Sequence, residues 1–187
     1  SMSPKVNGFH LGIQYSTKNN LISVIYINTE MIKNSYEKDF SNEAYFDVMS
    51  SYILSSILTK YGKPEQVLIR SFSGVARENN PTQTLLFYPA NGVIVQYFSP
   101  NGLLIEKNNF VIPTCPPKGH ISLRLFDPNT NLSLEELLKL NDSYIEYKDI
   151  SEASNMDINM FYDNFQYYDT KSLETICPAA LKTPENL

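Results

Sequence analysis

The chain has 187 residues, 42% of them hydrophobic, with 13 Tyr, 10 Phe and no Trp. That supplies one domain with a core of its own and excludes a disordered tail. A formal charge of −5 argues against broad electrostatic binding to DNA, RNA or anionic lipid, and no apolar run approaches the ~20 residues that cross a bilayer.

Charge is uneven along the chain. Residues 1–126 carry a net +3, whereas residues 127–187 hold 4 Lys and 12 Asp/Glu, a net −8. The acidic third suits a basic partner or a cation, or is a solvated face. Ser1-Met2-Ser3 reads as a cloning remnant, leaving a single domain over 4–187. Its core is expected in 9–126, and an acidic, Tyr-rich C-terminal extension in 127–187.

Residues 9–15 alternate in polarity, meet the turn signal Lys18-Asn19-Asn20, and continue into the apolar run 21–27, so a hairpin is predicted. Asp39 or Ser41 can cap a helix starting near Asn42. Phe46, Met49, Ser50, Ile53, Ile57 and Tyr61 recur at helical spacing, and define one buried face. Gly62 and Pro64 then stop it. Residues 65–112 read as an antiparallel meander. Strands are expected at 67–72, 84–88, 93–98 and 103–110, with Asn91-Gly92 at a tight turn of positive φ. A further strand is predicted at 121–126. Ser133 and Glu136 form a capping box on a short helix, and Asp157 can cap another through Phe161, Tyr162 and Phe165. Together these elements predict an α+β fold: an antiparallel meander packed by one main helix.

Cys115 and Cys177 are each followed by proline, and no C-x-x-C pair exists. A disulfide, two unrelated buried thiols and a catalytic thiol are the three readings. A bond would constrain the unfolded chain by ~4 kcal/mol in the loop-entropy account. The stiff Pro113-Thr114-Cys115-Pro116-Pro117 segment favours the disulfide.

Catalytic signals are sparse. His10 and His120 lack further ligands at zinc spacing, and Cys115–His120 lacks an orienting third group. Glu152, Asp157, Asp163 and Asp169 offer carboxylates for calcium or for glycoside cleavage, and Asp127-Pro128-Asn129-Thr130-Asn131 is oxygen-rich. No calcium-loop or phosphate-binding motif accompanies them. No cofactor, metal site or catalytic residue is expected. Tyr144, Tyr147, Tyr162, Tyr167 and Tyr168 concentrate in the acidic third. They suit a binding surface for protein or carbohydrate, or the packing of a C-terminal helix on the sheet.

The run Leu58-x-x-Tyr61-Gly62-x-Pro64-x-x-Val67, followed by Leu86-x-Tyr88 and Gly92-Val93-x-Val95, resembles a pattern of small bacterial envelope lipoproteins. In these a helix ending in Gly-x-Pro leads into a β-meander, as in outer-membrane assembly lipoproteins of the SmpA/OmlA type and β-lactamase-inhibitor-like domains. The resemblance covers about a quarter of the chain, and its motif has a geometric cause. The leading hairpin and the long cysteine-bearing tail depart from the pattern, and no functional residue carries over. It implies a non-catalytic extracytoplasmic binding module, periplasmic or at the cell surface. The lipid anchor would lie upstream of the residues given. The partner would be a protein or envelope component, and contact with the membrane would run only through that anchor. The expected contact regions are the sheet face, the loop at 74–82 and the Tyr-rich region. The alternatives are a carboxylate-based hydrolase and a cytosolic adaptor or immunity-type protein.

Overall fold

The computed structural model describes residues 5–6, 9–10, 12–18, 21–28, 51–71, 82–99, 104–106, 109–113, 120–139, 147–154, 156–167 and 180–183. In chain order the strands are β1 (Lys5–Val6), β2 (Phe9–His10), β3 (Gly12–Lys18), β4 (Leu21–Asn28), β5 (Gln66–Ser71), β6 (Thr82–Tyr88), β7 (Val93–Ser99), β8 (Leu104–Glu106), β9 (Asn109–Pro113), β10 (His120–Phe126), β11 (Lys148–Asp149) and β12 (Ala180–Thr183). The helices are α1 (Leu54–Tyr61), α2 (Leu134–Lys139), α3 (Ile150–Ala153) and α4 (Ile158–Phe165). The fold is α+β. A seven-stranded antiparallel sheet runs β11-β5-β6-β7-β10-β4-β3, beside a three-stranded sheet β12-β9-β8 and the small pair β1-β2.

The hairpin predicted at 9–27 forms as β3 and β4. The meander forms over β5, β6 and β7. It then ends: β8 and β9 leave the main sheet, and β10 pairs with the free edge of β7. Strand length explains the choice. The seven-residue β10 gives β7 six paired positions, whereas β8 has only three residues to offer. Strand β10 also takes β4 on its other side, so the N-terminal hairpin joins the sheet through a late strand.

Both faces of the central strands are covered. Val67, Ile69, Leu86, Val93, Val95 and Ile121 pack on one side with Leu58 of α1, Ile150 of α3 and Phe161 and Phe165 of α4. Leu85, Phe87, Ile94 and Phe126 pack on the other with Leu137 of α2. Strand β6 is therefore buried at both parities from Thr84 to Tyr88. The C-terminal third folds back on both faces of the sheet, and β11 pairs with Leu68 and Ile69 at its edge.

Helix α1 buries Leu54, Ile57 and Leu58 at helical spacing. The expected earlier turns, residues 42–50, lie outside the described residues. Gly62 closes α1 at φ 78, as predicted, with its N–H on the Leu58 carbonyl at 2.9 Å. Its ψ of −159 sends the chain directly into extended backbone instead of a left-handed turn. Pro64 is buried behind it, and the Glu65 N–H donates to the Phe87 carbonyl at 2.9 Å, starting β5 against β6.

Asn91-Gly92 sits in a turn of a different kind from the expected hairpin. Pro89 presets a helical φ, and Pro89–Asn91 make one 3-10 turn. Gly92 follows at φ 62, ψ 37. Its carbonyl accepts the Phe126 N–H at 2.9 Å, and a Cβ built on it would lie 2.2 Å from the Phe126 carbonyl oxygen. Backbone contact and backbone conformation thus both require glycine. Gly92→Ala is expected to lower stability by about 3 kcal/mol, combining the left-handed penalty with the displaced β7–β10 contact. Urea unfolding measures it, and an unchanged midpoint would contradict the assignment.

Two buried tyrosines set a pH limit. Desolvation by burial holds the Tyr97 hydroxyl well above its ordinary range, with nearby Tyr88 adding to it. Burial does the same to Tyr88, with Tyr162 and Tyr61 contributing. Tyr97 donates to the Tyr52 carbonyl at 2.9 Å, while the Tyr88 hydroxyl has no hydrogen-bond partner among the described residues. The unfolded chain ionises first, near the ordinary tyrosine value of about 10. Stability is therefore full below that pH and falls above it, by up to about 1.4 kcal/mol per pH unit for each ring. Denaturant titrations between pH 9 and 11.5 should show this slope, and Tyr97→Phe should flatten it.

Candidate functional site

Two features of the described residues have site-like chemistry on opposite faces of the sheet. The first is a buried polar cluster on the α2 side. Cross-strand register places Gln83, Gln96, Ser122 and Arg124 on one face of β6, β7 and β10. The Gln96 Oε1 accepts from Ser122 Oγ at 3.2 Å and from Arg124 Nη2 at 3.3 Å. Its Nε2 donates to the Tyr147 hydroxyl at 3.1 Å, which in turn donates to Gln83 Oε1 at 2.9 Å. Arg124, 1% exposed, also donates through Nη1 to the Leu138 carbonyl, at 3.4 Å. That carbonyl belongs to the last turn of α2, where acceptors have no intrahelical donor. The guanidinium is thus tied to a side-chain amide and a helix end.

Helix α2 is set for that contact by the predicted capping box. The Ser133 N–H donates to Glu136 Oε2 at 2.8 Å, and the Glu136 N–H donates to Ser133 Oγ at 3.3 Å. Lys139 and Glu135 form an exposed i,i+4 pair at 2.6 Å.

The second feature is an open groove of about 750 Å³ between α1 and β10. Leu123 and Leu125 floor it, and the helix side presents Ser51, Tyr52, Ser56, Ile57, Lys60 and Tyr61. The Lys60 ammonium lies 5.1 Å from the Tyr61 ring centroid, and that ring packs against Tyr88 at 5.4 Å. Apolar floor, hydroxyl wall and one cation suit contact with an amphipathic surface; the described lining has no paired carboxylates to activate water.

The five tyrosines predicted as a binding surface do not form one patch. Tyr147 is half-buried in the polar cluster on the α2 face. Tyr162 is half-buried against the core on the opposite face. Tyr167 follows α4 and is 86% exposed. Tyr144 and Tyr168 lie outside the described residues, as do Cys115, Cys177 and most of the loop at 74–82. Of the carboxylates, Asp157 caps α4 by accepting the Asn159 and Met160 N–H groups at 2.8 and 2.9 Å. Glu152 and Asp163 are exposed, and Asp169 lies outside the described residues. Asp127 closes its own turn through the Asn129 N–H at 2.9 Å. Among the described residues no three His, Cys, Asp or Glu side chains are placed to hold a metal ion. The side chains of His10 and His120 are not described.

Sequence reasoning missed Gln83, Gln96 and Arg124. For Gln96 and Arg124 the signal was present, since each is a polar residue with apolar neighbours on either side in a strand, the pattern of a desolvated group that must find a partner. It also missed Lys60 and Tyr52, which the helical-face count placed outside the apolar stripe.

No protein-family model, curated protein or solved structure matches the chain. No helix among the described residues is long and apolar enough to cross a membrane.

Gln96 bonds to three neighbours at once, so Gln96→Ala leaves Ser122, Arg124 and Tyr147 each short of a bond in a desolvated site. The expected loss is about 3 kcal/mol. Tyr147→Phe, which removes one hydroxyl from the same network, should cost about 1 kcal/mol. A double-mutant cycle by urea unfolding should return a coupling above 0.5 kcal/mol, and simple additivity would show that the cluster does not act as a unit.

Proposed function

We propose that this chain is a non-catalytic, extracytoplasmic binding module of the bacterial envelope-lipoprotein kind, with its partner a protein or envelope component. The observation that carries the reading is the β9–β12 ladder. These strands are antiparallel with Pro113 opposite Ala180. Cys115 follows Pro113 by two residues and Cys177 precedes Ala180 by three, so in sequence each cysteine adjoins the Pro113–Ala180 pair. A Cys115–Cys177 disulfide is the proposed consequence. It would clip the three-stranded sheet and is the kind of bond that persists in an oxidising compartment. Forming it removes two protons and two electrons from the thiols, which pass to a disulfide-bearing oxidoreductase that becomes a dithiol.

The site chemistry supports binding over hydrolysis. The polar groups around Gln96 bond to one another and to a helix end. The open groove presents aromatic, hydroxyl and ammonium groups.

Mass spectrometry of the denatured, unreduced protein after exposure to an alkylating agent tests the compartment. The expected result is no alkylation and a mass two hydrogens below the dithiol form; reduction should then expose both thiols. Free alkylation of both cysteines in protein purified from an oxidising compartment would overturn the exported reading and favour the cytosolic adaptor.

A further inference from the structure

The groove between α1 and β10 has walls that are fixed from behind. Tyr61 packs against the buried Tyr88 ring at 5.4 Å, and Ile57, one turn earlier on α1, is itself buried. Tyr52 has its backbone carbonyl held by the buried Tyr97 hydroxyl at 2.9 Å. Leu123 and Leu125 are two residues apart on β10 and so share a face. Both are half-buried, which leaves apolar surface in the floor. The volume of about 750 Å³ falls inside the roughly 300–1,000 Å³ of small-molecule sites. Walls held in place spare a ligand part of the ordering cost of binding.

The charge in this groove opposes that of the chain. The whole sequence has a net charge of −5, yet the described lining carries no carboxylate and one ammonium, that of Lys60. That ammonium lies 5.1 Å from the Tyr61 ring centroid. Lys60 follows Ile57 by three residues, so the cation stands on the same side of α1 as an apolar wall residue. The hydroxyl-bearing Ser51, Tyr52 and Tyr61 line the same concavity. A chain of net negative charge repels anions, and retains one only where a local cation offsets that field. One cation beside an apolar floor therefore matches a molecule with an apolar tail and a single negative charge. A phosphate monoester, with a charge of about −1.5 to −2 at neutral pH, would leave negative charge unmatched. A carboxylate carries one.

We propose that the groove between α1 and β10 binds a single-chain alkyl carboxylate, its tail on Leu123 and Leu125 and its head at the Lys60 ammonium. The inference rests on the binding-module reading and gives that module a ligand class. Burial of the tail supplies most of the affinity, and Lys60 selects the sign of the head. Because Lys60 is exposed, that selection is modest, about fivefold at the upper end for a solvated ion pair.

The test titrates the full chain with decanoate, decanol, decyltrimethylammonium, decyl phosphate and acetate, followed by NMR. Decanoate should shift the signals of Lys60, Leu123 and Leu125. Decanol should bind about fivefold more weakly, decyltrimethylammonium more weakly still, and acetate not detectably. Lys60→Gln should bring decanoate down to the level of decanol and leave decanol unchanged. Lys60→Glu should invert the preference, so that decyltrimethylammonium binds better than decanoate. Both variants should keep the urea midpoint, since the ammonium is in solvent. Equal binding of the three uncharged, cationic and carboxylate decyl probes would mean simple partition into apolar surface and overturn the proposal. So would shifts confined to other surfaces, or decyl phosphate binding more tightly than decanoate. Shifts of the same three residues on raising the protein concentration alone would assign the groove to a second copy of the chain and also overturn it. None of these outcomes depends on the cysteines, so the ligand class and the exported compartment stand or fall separately.

Discussion

The structure depends on removing β6 and β7 from water on both faces. A sheet half in water needs apolar residues only at alternate positions, but here Leu85 and Phe87 face α2 while Leu86 and Tyr88 face the other helices. Once both parities are desolvated, every element outside the sheet becomes a cover. Helices α1, α3 and α4 close one face, and α2 with Tyr147 closes the other. Each buried apolar side chain contributes roughly 1.5–3 kcal/mol, so losing either cover would cost several such contributions at once.

Two-sided burial also explains the polar cluster. Strand β10 needs side chains toward both faces, and Ser122 and Arg124 are what it presents to α2. A buried guanidinium is tolerated only with its donors engaged. Gln96 and the Leu138 carbonyl do this from two different elements, and Tyr147 in turn holds Gln96. The cluster therefore joins β7, β10, α2 and the residue before β11 more specifically than apolar packing could, because each bond has a direction.

Local signals were readable from the residues. Asp157 and the Ser133–Glu136 box cap their helices as their spacing implied, and Gly62 and Gly92 take positive φ where a chain reversal was expected. Strand pairing was less readable. Leu103 to Phe110 has the composition of a next meander strand, yet whether it or β10 takes the edge of β7 depends on competition between ladders far apart in the chain. Local pattern does not encode that competition. The tyrosines show the same limit. Tyr147, Tyr162 and Tyr167 look alike in composition, but fold topology sends one to each face and leaves the third in solvent.

The order of synthesis has a consequence for how this chain matures. Strand β4 waits for β10, about a hundred residues later, before it has a neighbour other than β3. The face under α1 is closed in part by Phe161 and Phe165, about a hundred residues after α1. Long-range closures of this kind slow folding. A growing chain cannot complete this interior until Phe165 has left the ribosome, and until then it exposes sticky strands for chaperones to hold.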